Sequence, residues 1–204
     1  MLRIEDLCVE YDNRKIISNL SYSFPVSKHI AIVGASGIGK TTLLNVLAGL
    51  QKPNAGSVIS SFSRPAYIFQ DPRLFPWLTS LENVKLVCAD QQIASYLIDA
   101  LINDTDAKNK YPDELSGGMK HRIAIARALA YDSDIVFMDE PFKGLDIQTR
   151  QTVREFVFKK LNGKTVILVT HDPDDLPFCD IVLKMSESPV TRLESEESGK
   201  AVTE

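Results

Sequence analysis

Cysteine is scarce in this 204-residue chain. Cys8, Cys88 and Cys179 stand far apart, in neither zinc spacing nor a disulfide pattern, which excludes a disulfide scaffold and fits a reducing cytosol. Long apolar runs are missing as well. One of the longest uncharged stretches, residues 16–27, holds Asn19, Pro25 and four serines, whereas a bilayer span needs roughly 20 mostly apolar residues. The N-terminus, Met1-Leu2-Arg3-Ile4-Glu5-Asp6, carries acids early and does not read as a secretory signal. If the protein works at a membrane, another chain is expected to hold it there. A positive field is lacking too: the net charge is −4, so nothing advertises nucleic acid as a partner. What is present is ordinary for a globular protein, 44% hydrophobic and 25% charged, and it excludes a disordered polymer or a collagen-like fibre.

The pattern opens with two apolar or alternating stretches, 2–11 and 15–24, separated by Asp12-Asn13, which predicts an antiparallel hairpin. A buried strand over 29–33 runs into a glycine-rich loop and then a helix from residue 40 to 50, stopped near Gly49. Short strands follow at 57–61 and 66–69. Thr79-Ser80-Leu81-Glu82 has the form of a capping box and opens a helix to about 88; further helices are expected at 91–102, 119–131 and 147–161. Strands at 135–138, 165–170 and 181–185 alternate with them, and Asp172-Pro173 caps a short helix. The order implies an α/β fold: a parallel core sheet, an N-terminal antiparallel edge and a helical insertion over about 73–130. Residues 186–204 hold five Glu and four Ser and are expected to fray.

Gly34-Ala35-Ser36-Gly37-Ile38-Gly39-Lys40-Thr41 matches Gly-x4-Gly-Lys-[Ser/Thr], between a strand and a helix as that motif requires. Its glycines let backbone N–H groups converge on an anion, and the following helix aims its positive end at the same place. Lys40 is positioned for the β- and γ-phosphates, and the Thr41 hydroxyl for Mg2+, with Thr42 next on the helix. This reads as a nucleoside triphosphate site. Residues 134–140, Asp-Ile-Val-Phe-Met-Asp-Glu, form an apolar strand ending in two carboxylates. Asp139 at the strand tip can hold Mg2+ through water. Because neighbours on an extended strand point to opposite sides, Glu140 is expected to play a different part, as general base for an attacking water.

Residues 115–129, Leu-Ser-Gly-Gly-Met-Lys-His-Arg-Ile-Ala-Ile-Ala-Arg-Ala-Leu, resemble the signature helix of ATP-binding cassette ATPases, and they stand between the two phosphate motifs in that family's order. The resemblance covers about 1–185, as a single ATPase domain. It implies a phosphate-loop fold with a RecA-like core, and ATP with Mg2+ as cofactors. It further implies that Tyr11 stacks on adenine, that Gln70 reaches Mg2+ or the attacking water, that Asp146 belongs to the loop joining the two copies, and that His171 bonds the γ-phosphate. Ser116, Gly117 and Gly118 precede a helix and so form a second phosphate site, which in this family closes over the ATP of the other copy of a head-to-tail dimer. Met119 and His121 stand where Gln is commoner, and Lys143-Gly144 where Ser-Ala is commoner; tuning rather than loss of activity is expected.

Only residues 71–114 separate Gln70 from Leu115, too few for the coiled coil of chromosome-maintenance relatives, and one cassette is present. The resemblance is to the separate ATPase subunits of importers. Residues 71–84, with Phe75 and Trp77, and Phe142 look like the nitrate, sulfonate, taurine and thiamine-precursor group. Phe75 and Trp77 read equally as subdomain core or as part of a groove for a permease. The implied function is ATP hydrolysis driving a permease that imports a small solute. The implied partners are a second cassette, an integral membrane permease and an extracytoplasmic solute-binding protein; the implied place is peripheral, on the cytoplasmic face of the inner membrane. Export or lipid extraction, a small-molecule kinase and an ATP-binding scaffold are the competing readings. Intact Glu140 and His171 speak against the scaffold. The cargo is not written in this chain.

Overall fold

The computed structural model describes residues 1–196; the last eight, part of the stretch expected to fray, lie outside the described residues. The chain forms two compact units. The first comprises Met1–Pro65, Asp134–Asp139 and the chain from Gly163 on; the second comprises Ala66–Ser133 and Glu140–Asn162. In chain order the elements begin with β1 (Leu2–Tyr11), β2 (Arg14–Phe24), β3 (His29–Gly34), α1 (Lys40–Leu47), β4 (Ala55–Ser60) and β5 (Pro65–Ile68). Next come α2 (Ser80–Lys85), α3 (Gln91–Leu101), α4 (Gly117–Ala130), β6 (Ile135–Asp139) and α5 (Ile147–Lys160). The chain continues through β7 (Thr165–Val169), β8 (Ile181–Met185) and β9 (Glu194–Glu196).

In the first unit, β1 and β2 pair antiparallel around Asp12-Asn13, both in the left-handed region that tight hairpin turns demand. On its other edge β1 pairs with β4, completing the antiparallel sheet β2-β1-β4. The core strands run in the order β6-β7-β3-β8-β9, parallel except for β9. Ile30–Ile32 of β3, all of β6 and all of β7 are buried, as unbroken apolar runs in parallel sheets should be. Within 186–196, part of the stretch expected to fray, the chain makes defined contacts. Val190 is fully buried and bridges Ile17 of β2, and β9 pairs with β8. A single apolar side chain anchors a segment whose composition reads as solvated.

In the second unit, α4 packs against α2 and α3. Its Ala- and Ile-rich middle, Ile123 to Ala126 with Ala128, is buried on all sides. The capping box of α2 forms as expected: Glu82 N–H donates to Thr79 Oγ1 (3.3 Å), and Thr79 N–H donates to Glu82 Oε2 (2.8 Å). The Thr79 N–H, followed by its hydroxyl, holds the Glu82 carboxyl below the ordinary carboxylate range. Phe142 is core rather than surface, packed near Phe158 and under the Arg154 guanidinium.

Candidate functional site

The candidate residues fall into two groups, one in each unit. In the first unit the carboxyl ends of three strands lie side by side: Ile32 of β3 and Asp139 of β6 both pair with Val169 of β7. Ligands of open α/β sheets bind at such an edge. β3 leads into the loop and α1 leads out of it. Gly39 caps α1 at φ 116° with no side-chain oxygen on its first N–H groups, so these remain available to an anion. A Cβ on Gly39 would stand 2.6 Å from Ile16 Cγ2 of β2, and one on Gly34 would stand 2.5 Å from the Met185 carbonyl oxygen. Both positions therefore require glycine.

Lys40 is buried and folds back into the loop, where Nζ donates to the carbonyls of Gly34 (2.8 Å) and Ala35 (2.9 Å). The Thr41 hydroxyl donates to Asp139 Oδ1 at 3.2 Å. Thus the loop and the β6 tip, 98 residues apart in sequence, are joined at the two groups expected to hold Mg2+. Ala35, Ser36 and Gly37 form the exposed rim, and Thr42 is half-buried on α1. His171 is exposed, two residues beyond β7. Behind it Thr170 is buried and donates to Asp175 Oδ2, while Asp172 caps the following 3-10 turn through Asp174 N–H (3.0 Å). Tyr11 ends β1 and is 47% exposed.

The second unit holds Gln70, Ser116–Gly118, Glu140 and Asp146. Ser116 caps α4, its Oγ accepting from Met119 N–H at 3.2 Å, which leaves its own proton free to donate. Gly118 lies against the Asp146 loop: a Cβ there would stand 3.4 Å from Leu145 Cδ2. Asp146 caps α5, and the Thr149 N–H at 3.0 Å, then the Thr149 hydroxyl and the Arg122 charge, hold its carboxyl below the usual range. Glu140 does not follow the strand alternation expected of it. It sits beyond β6 at φ 46°, in the left-handed region, so a backbone kink rather than the pleat sets its direction. Non-glycine residues held there cluster at functional sites. Lys143, which departs from the commoner Ser, pairs with Glu140 at 2.8 Å.

Gln70 is exposed, two residues past β5, and the loop after it is tightly organised. Arg127 of α4 donates to the carbonyls of Pro72 (3.2 Å) and Arg73 (3.1 Å). Fully buried Asn83 accepts from Phe75 N–H (2.8 Å) and donates to the carbonyls of Phe75, Leu78 and Thr79. Trp77 is 68% exposed beside Phe75, so neither ring is subdomain core. His121 is half-buried, and burial lowers its pKa while the charge of Asp71 partly opposes that. Sequence reading gave no role to Asn83 or Arg127, and it singled out Lys143 without foreseeing its pairing with Glu140; the polar Asn83 beside apolar Val84 in a short helix was the one signal for the loop's support. Asn83→Ala should destabilise the chain by about 2–3 kcal/mol in a urea titration, because it strands buried loop groups. A loss of stability below about 0.5 kcal/mol would show that the loop holds itself.

The ABC transporter family model matches residues 17–143. The chain is 34% identical over 200 residues to the aliphatic sulfonates import ATP-binding protein SsuB of Corynebacterium glutamicum, covering 92% of this chain and 81% of that one. It is 37% identical over 182 residues to the nitrate import ATP-binding protein NrtD of Synechocystis, covering 79% and 67%. The bicarbonate transport ATP-binding protein CmpD of Synechocystis is 33% identical over 211 residues, covering 92% and 75%. Among solved structures, the dimeric, post-hydrolysis ATP-binding cassette MJ0796 bound to ADP and Pi superposes with a TM-score of 0.84 at 27% identity, covering 97% of this chain and 98% of that one.

Proposed function

Given that this chain belongs to the ABC transporter family of ATP-binding subunits and is an ATPase, we propose that it drives a membrane permease importing a small anionic solute. Sulfonate, nitrate and bicarbonate, named for three relatives, share that chemistry. No helix among the described residues is long and apolar enough to cross a membrane, so the permease supplies the passage. The observation that carries the nucleotide reading is the closed loop itself. Lys40 is drawn into it, and Thr41 is bonded to Asp139 at the strand edge.

That hydroxyl and carboxylate are hard oxygen donors of the kind Mg2+ takes together with phosphate oxygens, so the pair fits the ion; Gln70 is the third residue assigned to it. When bound, Mg2+ neutralises charge on the β- and γ-phosphates. ATP then draws Lys40 from its two carbonyls to phosphate oxygens, and the open N–H groups at the start of α1 bind alongside. His171 donates to the γ-phosphate. Glu140 takes the proton of the attacking water. The free proton of Ser116 and the first N–H groups of α4 reach the γ-phosphate held by a second copy, stabilising charge in trans. Closure of the two copies moves the second units and with them the permease. An extracytoplasmic binding protein delivers the solute to the permease, on whose cytoplasmic face the pair of cassettes is seated.

The exposed Phe75–Trp77 pair, held by Asn83, is the docking surface for the permease. Trp77→Ala should weaken capture of the permease by roughly 10- to 30-fold, as loss of a central aromatic anchor does. Unchanged capture and uptake would move the docking surface elsewhere. The function as a whole is tested in proteoliposomes holding this chain and its cognate permease. ATP-dependent uptake of an alkanesulfonate, nitrate or bicarbonate, with release of free phosphate, is expected. A phosphorylated product in place of free phosphate would mark a kinase, and ATP-driven efflux would mark an exporter.

A further inference from the structure

We propose that Gln51 is a positioning residue for the adenine platform: it fixes the Tyr11 ring relative to the phosphate loop through α1. This rests on the reading of Tyr11 as the adenine-stacking ring. Tyr11 ends β1, just before the left-handed pair Asp12-Asn13, so the hairpin alone leaves its side chain at a projecting tip. The hydroxyl is tied down: Oη donates to Gln51 Oε1 at 2.5 Å.

Gln51 in turn belongs to the segment that leaves α1. The chain turns at Gly49 (φ 72°), and the N–H groups of Leu50 (2.9 Å) and Gln51 (3.3 Å) both donate to the carbonyl of Asn45, inside α1. Three residues later Asn54 returns to β1. Its N–H donates to the Cys8 carbonyl at 2.8 Å, and its Oδ1 accepts from Glu10 N–H at 2.8 Å. Residues 49–54 thus strap the far end of α1 to the C-terminal end of β1. The near end of α1 carries Lys40 and Thr41. One short helix therefore holds the phosphate cradle at one end and the ring at the other, so the spacing between triphosphate and base is set by hydrogen bonds rather than by a free side chain. Holding a ring in its bound orientation removes an ordering cost that binding would otherwise carry.

The prediction concerns the base alone. Tyr11→Phe and Gln51→Leu should each weaken ATP binding about three- to tenfold, and the double variant should be no worse than either single one. Gln51→Glu keeps the acceptor and should bind close to wild type. Tripolyphosphate, which has no base, should bind every variant within about twofold of wild type. Affinities are read by competition against a fluorescent ribose-labelled ATP, with Tyr11→Ala as the reference. If Tyr11→Ala binds ATP weakly while Tyr11→Phe and Gln51→Leu bind like wild type, the platform stands and the role of Gln51 is overturned. If tripolyphosphate weakens in step with ATP, Gln51 is structural and the proposal also fails. If Tyr11→Ala itself binds ATP normally, the platform reading falls and takes this inference with it.

Discussion

Lys40→Ala should weaken ATP binding by at least about 100-fold. A hydrogen bond to a charged group contributes ~1.5–3 kcal/mol, and an ammonium between β- and γ-phosphates makes two. Lys40 is not idle without nucleotide, since it already satisfies the Gly34 and Ala35 carbonyls. Binding exchanges those partners for phosphate oxygens, so the lower end of the range, ~3 kcal/mol or about 100-fold, is the appropriate figure. Alanine also leaves the two carbonyls without their donor and frees the loop to open. Isothermal titration with ATP and Mg2+ reads the result directly. An affinity within threefold of wild type would remove Lys40, and with it the loop, from the nucleotide site.

Glu140→Gln separates binding from chemistry. A positioned general base contributes about 10²- to 10⁴-fold, so phosphate release should fall by at least about 100-fold while ATP affinity stays close to wild type. The amide keeps the shape of the carboxylate and loses its charge. Its ion-pair partner Lys143 is half-exposed and can be hydrated instead, so the fold should tolerate the change. Since ATP is bound and not consumed, the variant should accumulate as a closed pair of chains. Turnover near wild type would exclude Glu140 as the base and would make its left-handed backbone a feature of the turn alone.

Much of the arrangement was legible in the residues because local chemistry dictated it. Gly34 to Thr41 read as a phosphate loop because a strand was expected before it and a helix after it, and both form, as β3 and α1. Asp12-Asn13 announced the hairpin, and Thr79 with Glu82 announced the start of α2. What the sequence did not disclose was set by distant contacts. The pairing of β1 with β4 joins residues about fifty apart, and no local signal encodes it. Val190 is one valine in a stretch of Ser and Glu, yet it closes against Ile17 and orders residues that composition alone would leave in water. Glu140 illustrates the opposite failure. The pleat rule was sound for a strand, but the strand ends at Asp139 and the backbone turns left-handed at the very next residue. The ion pair to Lys143 and the strap through Gln51 and Asn54 depend on side-chain reach rather than on periodicity, and so were invisible to it.

In the proposed dimer one ATP is enclosed by the loop of one chain and the Ser116 lip of another. The most direct measurement combines Ser36→Cys and Ser116→Cys in a chain whose Cys8, Cys88 and Cys179 are replaced by serine and whose Glu140 is replaced by glutamine. With a short bis-maleimide that alkylates both thiols, ATP should produce a two-chain crosslinked product joining position 36 of one copy to position 116 of the other, absent without nucleotide. Single chains only, with ATP present and the permease alongside, would contradict the shared site.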